Sequence, residues 1–295
     1  MTTLLRLYPA AYRREFGDEI AYAYREATRG AGAPARVREG ADVAGHALRM
    51  RLGLGSTGRP GRLLAALAPF ALVVIGASAA GWMGLLRYAM FAGGPVGAGF
   101  PALLAGYLVM LFGVSLALAG RWSVGSWAVL AGAALEIAAS VVRMGVGGIG
   151  MQALFSTPML ILGPVLALAL VAVACPPDLR PAPRIRTRAG AAAVLAWTLV
   201  LAGAVLTVPL VYPFTQLRFV VPVAAGLLLA GRPAFARLRT APAVLLAGLP
   251  FVYFGAMPGS LLPLALAVLL VLLLVTAAVV SVRRRRGARD PLVGG

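Results

Sequence analysis

The segment LLPLALAVLLVLLLVTAAVVSV, at residues 261–282, decides the fold class because it runs without a single charge. A helix needs about 20 apolar residues to cross a bilayer core that is about 30 Å thick. Four consecutive arginines follow at 283–286, where a cytoplasmic anchor is typical of such helices. The segment therefore predicts a transmembrane helix whose carboxyl end lies in the cytoplasm.

The rest of the chain has the same character. Of its 295 residues 61% are apolar and 12% are charged, and the mean hydropathy is +0.90, whereas globular chains are about 45–50% apolar and about 25% charged. Seven further stretches are long and apolar enough to span, at 63–83, 100–120, 123–143, 153–175, 189–209, 213–231 and 241–257. The sixth and seventh spans carry Pro222 and Pro250, so tilted or partly re-entrant helices are open alternatives.

We therefore predict an all-α polytopic membrane helix bundle of about eight transmembrane helices. It divides into a cytoplasmic helical prefix and linker at 1–62, a transmembrane bundle at 63–282 and a basic cytoplasmic tail at 283–295. The amino terminus lacks a continuous apolar region before its first charges, so no cleaved signal peptide is expected.

The arginines fall mainly on one predicted side. All 27 basic residues are Arg, and the formal net charge is +18. With the amino terminus inside, 24 arginines lie in cytoplasmic segments and three, Arg87, Arg143 and Arg218, lie in outer loops. This positive-inside pattern predicts a multi-pass protein of the bacterial inner (plasma) membrane with both termini cytoplasmic. Because topology accounts for most of the basic charge, no nucleic-acid partner is predicted.

The arginines after the last span are also the predicted contact with anionic lipids of the inner leaflet, at about 1 kcal/mol each. They are Arg283, Arg284, Arg285 and Arg286. A pure topology anchor and a specific lipid-binding role are both open interpretations.

Aromatic residues mark the prefix. Tyr8, Tyr12, Phe16, Ile20 and Tyr24 recur every four residues, which predicts an amphipathic helix over 8–28. A second helix is predicted over 35–52, before the linker STGRPGR at 56–62. About 50 residues build little core alone. The stripe is therefore expected to pack on the prefix itself or on the membrane surface, or to dock a cytosolic protein partner within residues 1–55.

A resemblance covers this prefix. The sequences LLRLYP at 4–9 and YRREFGDE at 12–19 look like the permease-prefix segment, which precedes the membrane part of many bacterial permease-like and uncharacterised membrane proteins. The sequence ADVAGHALRMRLG at 41–53 resembles its second helix in actinobacterial examples. A chain without Lys that is rich in Ala, Gly, Val, Leu and Arg is also typical of a GC-rich genome such as an actinobacterium's. The resemblance implies a cytoplasmic helical element that carries no catalytic residues.

The residues that common membrane enzymes need are missing. Cys175 is the one cysteine, so no intramolecular disulfide can form, and His46 is the one histidine, so no pair of histidines can bind a metal. A GxxxxGK[ST] nucleotide loop cannot occur without Lys. The predicted spans hold a single acid, whereas an aspartyl protease needs two. We expect no enzyme activity, no cofactor and no metal.

That single acid is Glu136, the main polar candidate of the bundle. A charged residue at mid-helix costs roughly 2.5–3.5 kcal/mol on insertion scales, so Glu136 is expected to face protein or water. It belongs to a face of small residues suited to close helix contact, formed with Ala128, Gly132 and Ser140.

The expected partner of Glu136 is Tyr107. The two residues lie at similar distances from the turn between spans two and three, so their side chains are expected at similar depth. Arg143 and Arg87 are alternative partners. Glu136 is then either a neutral group that holds helices together or part of a proton- or cation-linked transport path.

Two functions from different classes follow. The first is an integral plasma-membrane protein with a regulatory or interaction role through its cytoplasmic prefix. The second is a small transporter, or the membrane subunit of a transport complex that works with a separate ATPase subunit.

Overall fold

The structure is a computed structural model that describes residues 2–56, 58–91, 99–146, 151–207, 214–256 and 263–287. Within these ranges it does not describe the side chains of residues 2, 3, 38, 41, 143–146, 151–161, 214–216 and 284–287.

The described chain is helical throughout, and no strand occurs within these ranges. Its α-helices are α1 (Thr2–Leu5), α2 (Ala10–Thr28), α3 (Ala33–Arg51), α4 (Arg59–Phe91), α5 (Phe100–Ala119), α6 (Trp122–Val146), α7 (Met151–Val173), α8 (Arg188–Leu206), α9 (Phe214–Ala236), α10 (Ala241–Ala256) and α11 (Pro263–Gly287). Two short 3₁₀ turns, Pro177–Leu179 and Arg184–Arg186, lie between α7 and α8.

Six helices of the described chain are long and apolar enough to cross a membrane, which indicates a multi-pass membrane protein. They are Arg59–Phe91, Phe100–Ala119, Trp122–Val142, Arg188–Leu206, Leu217–Ala236 and Pro263–Arg283. Two shorter apolar segments lie within the predicted spans at 153–175 and 241–257: Leu162–Val173, the part of α7 whose side chains are described, and Ala241–Ala256, which is α10. The predicted all-helical membrane fold is thus present, with six candidate spans by length and composition.

Several helices extend beyond the boundaries that hydropathy predicted. The predicted outer loop at 84–99 is helical as far as Phe91, because α4 continues for two further turns. At its other end α4 starts at Arg59, inside the predicted linker, with a proline in its first turn. Helix α11 likewise continues to Gly287, past the predicted start of the tail. Hydropathy locates the apolar part of a helix, whereas the hydrogen-bonded backbone continues until a residue ends it.

Contacts divide the chain into two compact units. The first is Met1–Leu64 with Ala174–Leu179, and the second is Ala65–Val173 with Arg180–Gly295. In the first unit α2 begins after Pro9, and the chain turns at Gly30, which has a φ of 72°. A positive φ suits glycine because it has no Cβ. Helices α2 and α3, which correspond to the two helices predicted for the prefix, then pack against each other as a hairpin.

In the second unit α5 and α6 form the closest helix pair. A Cβ added at Gly106 would lie 3.0 Å from the carbonyl oxygen of Gly132, and one added at Gly113 would lie 2.8 Å from that of Gly125. Both helices therefore place a glycine every seven residues where the backbones meet. Small residues at such positions allow the close approach that membrane helices use in place of hydrophobic driving force.

In the second unit a tryptophan of α8 packs against both α4 and α9. Trp197 of α8 is only 1% exposed, and its indole nitrogen donates to the carbonyl oxygen of Pro222 at 3.0 Å. Its ring fills the space left by two glycines, Gly76 of α4 and Gly226 of α9. Helical geometry in α9 breaks at Gly231, with φ 71° and ψ 173°, the residue at which the sixth predicted span ends.

Candidate functional site

Glu136 lies between α5 and α6 with 2% of its surface exposed. The hydroxyl of Tyr107, itself buried, donates to Glu136 Oε1 at 2.5 Å. The register of the two helices sets this contact, because Gly106, next to Tyr107 in the chain, lies against the backbone of Gly132 and Glu136. The predicted inward orientation of Glu136 and its hydrogen bond with Tyr107 are both present.

The second carboxyl oxygen of Glu136, Oε2, is buried without a hydrogen bond to the described residues. A buried polar atom without a partner is costly, and an unpaired buried charge costs much more. A proton on the carboxyl group of Glu136 would remove the charge and so reduce this cost. A protonated carboxyl next to a tyrosine hydroxyl can pass protons or simply hold two helices together.

The small-residue face predicted for α6 is present for three of its four members. Ala128, Gly132 and Glu136 all lie against α5, where Cβ of Ala128 would be 3.0 Å from a Cβ added at Gly113. Ser140 is half-buried on the same helix. The spacing therefore predicted which face of α6 meets α5.

Of the two alternative partners predicted for Glu136, the structure describes the side chain of one, Arg87. Arg87 donates instead to α8, from Nε to the carbonyl oxygen of Val205 at 3.1 Å and from Nη2 to that of Leu206 at 2.5 Å. Its guanidinium also lies over the ring of Phe91, 5.6 Å from the centroid. The side chain of Arg143 lies outside the described residues. The charge of Arg87 suits Glu136, but α8 lies beside α4, and two of its last carbonyls accept from Arg87 instead.

Sequence reasoning did not select Arg218, which the structure places beside Arg87. Arg218 is 6% exposed, and its Nε donates to the carbonyl oxygen of Ala204 at 2.9 Å. Two guanidinium groups thus bind three successive carbonyls at the carboxyl end of α8. Cations are favourable at the negative end of a helix dipole. Arg218 was predicted to lie in an outer loop, but it lies within helix α9. Its position inside the apolar stretch at 213–231 was the signal that could have identified it.

Arginines also bind backbone carbonyls at other helix ends. Arg184 donates from Nη2 to the carbonyl oxygen of Ala230 at 2.8 Å, one residue before the break in α9. Burial lowers the pKa of Arg184 from its usual value, although an arginine stays charged in proteins. Such contacts use the arginines as caps, which adds a structural role to the topological one.

The predicted lipid-contact arginines are described in part. Arg283 is exposed near the end of α11, as contact with headgroups requires. The side chains of Arg284, Arg285 and Arg286 lie outside the described residues. Their lipid contact remains a prediction from the sequence.

The aromatic stripe of the prefix packs on the prefix itself. Tyr8 is 3% exposed, stacks on Tyr12 at 5.5 Å between ring centroids, and has its hydroxyl 3.0 Å from Nδ1 of His46. Tyr12 in turn packs on Phe16. Burial raises the pKa of Tyr8, while burial and the nearby Arg49 lower the pKa of His46. These contacts agree with the interpretation that the aromatic stripe packs on the prefix itself.

An apolar cleft of about 630 Å³ lies between α4, α7 and α10. Phe70, Pro164 and Pro250 are among the residues that line it, one from each helix. Its walls offer almost no polar groups, so they could contact hydrocarbon but could not orient a polar substrate.

Comparison with known proteins leaves these residues as the basis for any function. No family model matches the chain, and no curated protein or solved structure is significantly similar to it. Among the described residues no group of three or more His, Cys, Asp or Glu side chains could hold a metal ion.

Proposed function

We propose that this protein is a multi-pass protein of the bacterial plasma membrane, with about eight spans, that binds a cytosolic protein through its prefix. The observation that carries the proposal is that the prefix forms a compact unit while other side chains stay exposed on it. Tyr22 is 63% exposed, Val37 is 72% exposed and Leu48 is 57% exposed. Exposed tyrosines are typical anchors of protein interfaces, and apolar contacts around such an anchor exclude water from it.

The charge pattern of the prefix favours a protein partner. Its acids are interspersed with its arginines along α2. At the end of that helix Glu26 forms an ion pair at 2.8 Å with Arg29, the residue that follows it. A nucleic-acid surface would instead need an uninterrupted basic patch. A mixed surface with a few apolar anchors is the composition expected of a transient protein interface.

Contacts between helix ends support the proposed topology of about eight spans. The ends predicted inside are joined by Arg180 Nη1 with Ser123 Oγ, Arg184 with the carbonyl of Ala230 and Arg237 with the carbonyl of Ala65. The ends predicted outside are joined by Arg87 and Arg218 at α8. Trp122, at the start of α6, donates to the carbonyl of Ala172 near the end of α7, which supports α6 and α7 as an antiparallel pair.

Photocrosslinking in intact cells tests the proposed interface. A photoreactive residue at position 22 or 37 should give a defined protein adduct, because both side chains face away from the hairpin. The same residue at position 12 should give none, because that side chain packs against Phe16 and His46. Absence of an adduct at 22 and 37 in chains that are stably inserted would contradict the proposal.

A second candidate function is a small transporter, or the membrane subunit of a transport complex with a separate ATPase. The observation that favours it is Glu136, whose buried Oε2 has no hydrogen-bond partner among the described residues. Proton uptake by reconstituted vesicles should fall strongly in Glu136→Gln and stay unchanged in Tyr88→Phe. Equal uptake in both variants would leave Glu136 with a structural role and would contradict proton transport.

A further inference from the structure

The carboxyl end of α8 holds more positive charge than the described residues neutralise. Arg87 and Arg218 each bring a full charge to carbonyls 204–206. The end of a helix supplies only about half a negative charge in return. In the described part of the chain no carboxylate lies within ion-pair distance of either guanidinium. A positive charge of more than one unit is therefore uncompensated at this place.

Arg218 is also the more deeply desolvated of the two arginines. At 6% exposure it has lost most of its water, and its Nη2 is buried without a hydrogen-bond partner among the described residues. Removing a charge from water without a counter-ion is strongly unfavourable. A guanidinium in this position is far more favourable when an anion lies next to it.

The surrounding helices hold this guanidinium in place. A Cβ added at Gly84 of α4 would collide with Nη2 of Arg218, so the absence of a side chain at 84 creates the space that it fills. The Nη1 groups of Arg87 and Arg218 make no hydrogen bond with the described chain, and neither is fully buried. These two groups remain as donors for a ligand.

We infer that the end of α8 is a binding site for a phosphate-type oxyanion, held between the guanidinium groups of Arg87 and Arg218. Guanidinium groups suit such oxygens because their planar N–H donors match the geometry of phosphate. The charge of the anion would neutralise the cluster, and its oxygens would accept from the free donors. The source is either the phosphate of a lipid headgroup or free inorganic phosphate, since both present the same chemistry.

Thermal unfolding of the full chain in a maltoside detergent, which carries no phosphate, tests the site. Inorganic phosphate is titrated against chloride at equal ionic strength, and micelles doped with phosphatidylglycerol are compared with micelles doped with diacylglycerol. At 100-fold excess over Kd the midpoint should rise by roughly 5 °C. A rise with inorganic phosphate identifies a site open to the free ion, and a rise with phosphatidylglycerol alone identifies a headgroup site.

Variants separate the site from general attraction to a basic protein. Arg218→Gln and Arg87→Gln should lose the rise, and Gly84→Ala should reduce it while keeping every charge. Arg186→Gln, which removes an exposed arginine near the start of α8, should keep it. No rise in the wild type, or an equal rise in Arg87→Gln, Gly84→Ala and Arg186→Gln, would overturn the inference. Because the readout is the response to ligand, a variant with lower basal stability remains informative.

Discussion

Glu136 and Arg218 are the buried acidic and basic side chains of the described residues, and they are stabilised in different ways. Arg218 lies at a helix end, where backbone carbonyls offer partial negative charge. Glu136 lies mid-helix, where the backbone is already hydrogen-bonded, and among the described residues only the side chain of Tyr107 donates to it. The first position tolerates a charge, whereas the second favours a neutral, protonated acid.

Tyr107→Phe should lower the stability of the bundle by about 1 kcal/mol, because hydrogen bonds between membrane helices average somewhat less than that and reach about 1.7 kcal/mol. The substitution leaves Oε1 of Glu136 without its donor. Denaturation in mixed micelles measures the change. Tyr88→Phe is the matched control, because its hydroxyl makes no hydrogen bond within the described chain. Equal stability of the two variants would show that the Tyr107 contact contributes nothing.

His46 should make the prefix less stable in acid. Burial, with the nearby Arg49, lowers the pKa of His46 below its usual 6.5. The unfolded prefix then binds more protons than the folded one below neutral pH, so stability is lost as pH falls through 6.5 towards the lowered value. Amide exchange over residues 10–51 of the full chain, corrected for intrinsic rates, should show less protection at pH 5.5 than at pH 7.5. His46→Gln should weaken this dependence, and an unchanged dependence would assign it to other groups.

At the scale of elements, the packing of α5 against α6 depends on glycines, which have no side chain at the surface where the two helices meet. Gly106 and Gly113 of α5 meet Gly132 and Gly125 of α6 so closely that a methyl group added at any of the four would lie within 3.0 Å of a backbone atom of the other helix. Backbone atoms cannot turn aside as a side chain can, so a larger residue separates the helices. The same register brings Tyr107 to Glu136, which makes the polar pair a consequence of the glycine contacts.

Gly132→Ala should therefore destabilise the bundle by about 1–3 kcal/mol, the usual cost of overpacking. Its Cβ would lie 2.7 Å from both the carbonyl oxygen of Gly106 and Cγ of Met110. Gly203→Ala in α8 is the control, since a Cβ there meets nothing within 4 Å. That control should be neutral or slightly stabilising, because alanine suits a helix better than glycine. Similar losses in both variants would mean that close packing is not the cause.

At the scale of the whole molecule, six and eight spans differ in whether α7 and α10 also cross the membrane. Helix α10 has 16 residues, or about 24 Å at 1.5 Å per residue, which is short for a bilayer core of about 30 Å. A Cβ at its Gly248 would meet the side chain of Leu273, near the middle of α11, so the two helices pack side by side. A short helix can still cross where the bilayer thins or flanking arginines reach the interface.

Reporter fusions distinguish six spans from eight. Fusions after Arg188, Arg239 and Gly295 should all report the cytoplasm, and fusions near Gly97 and Gly148 should report the outside. The fusions near Gly148 and after Arg188 test α7, and those after Arg239 and Gly295 test α10 with α11. A reversed reporter at any of these positions would contradict the count of eight. Deleting residues 1–55 should leave the pattern unchanged, because the spans carry their own flanking arginines.

Hydropathy by itself determined the all-helical fold and its candidate spans, because it acts on single segments and needs no knowledge of neighbours. The spacing of Glu136 with Gly132 and Ala128 also predicted its inward face, and the tight turn between α5 and α6 predicted its depth relative to Tyr107. Both inferences concern residues that are close in sequence, where helix geometry transmits position from one residue to the next. The hairpin formed by α2 and α3 is predictable for the same reason.

Only the tertiary structure decided the partners of residues that are far apart in the chain. Arg87 meets carbonyls 118 and 119 residues away, and Arg218 lies in the space that Gly84 leaves. Trp197 likewise depends on glycines of two other helices. These contacts follow from which helices become neighbours, and similar apolar helices pack against one another with little difference in energy. The sequence therefore specifies the helices and their local polar faces, while side-chain shape selects the neighbours that complete each site.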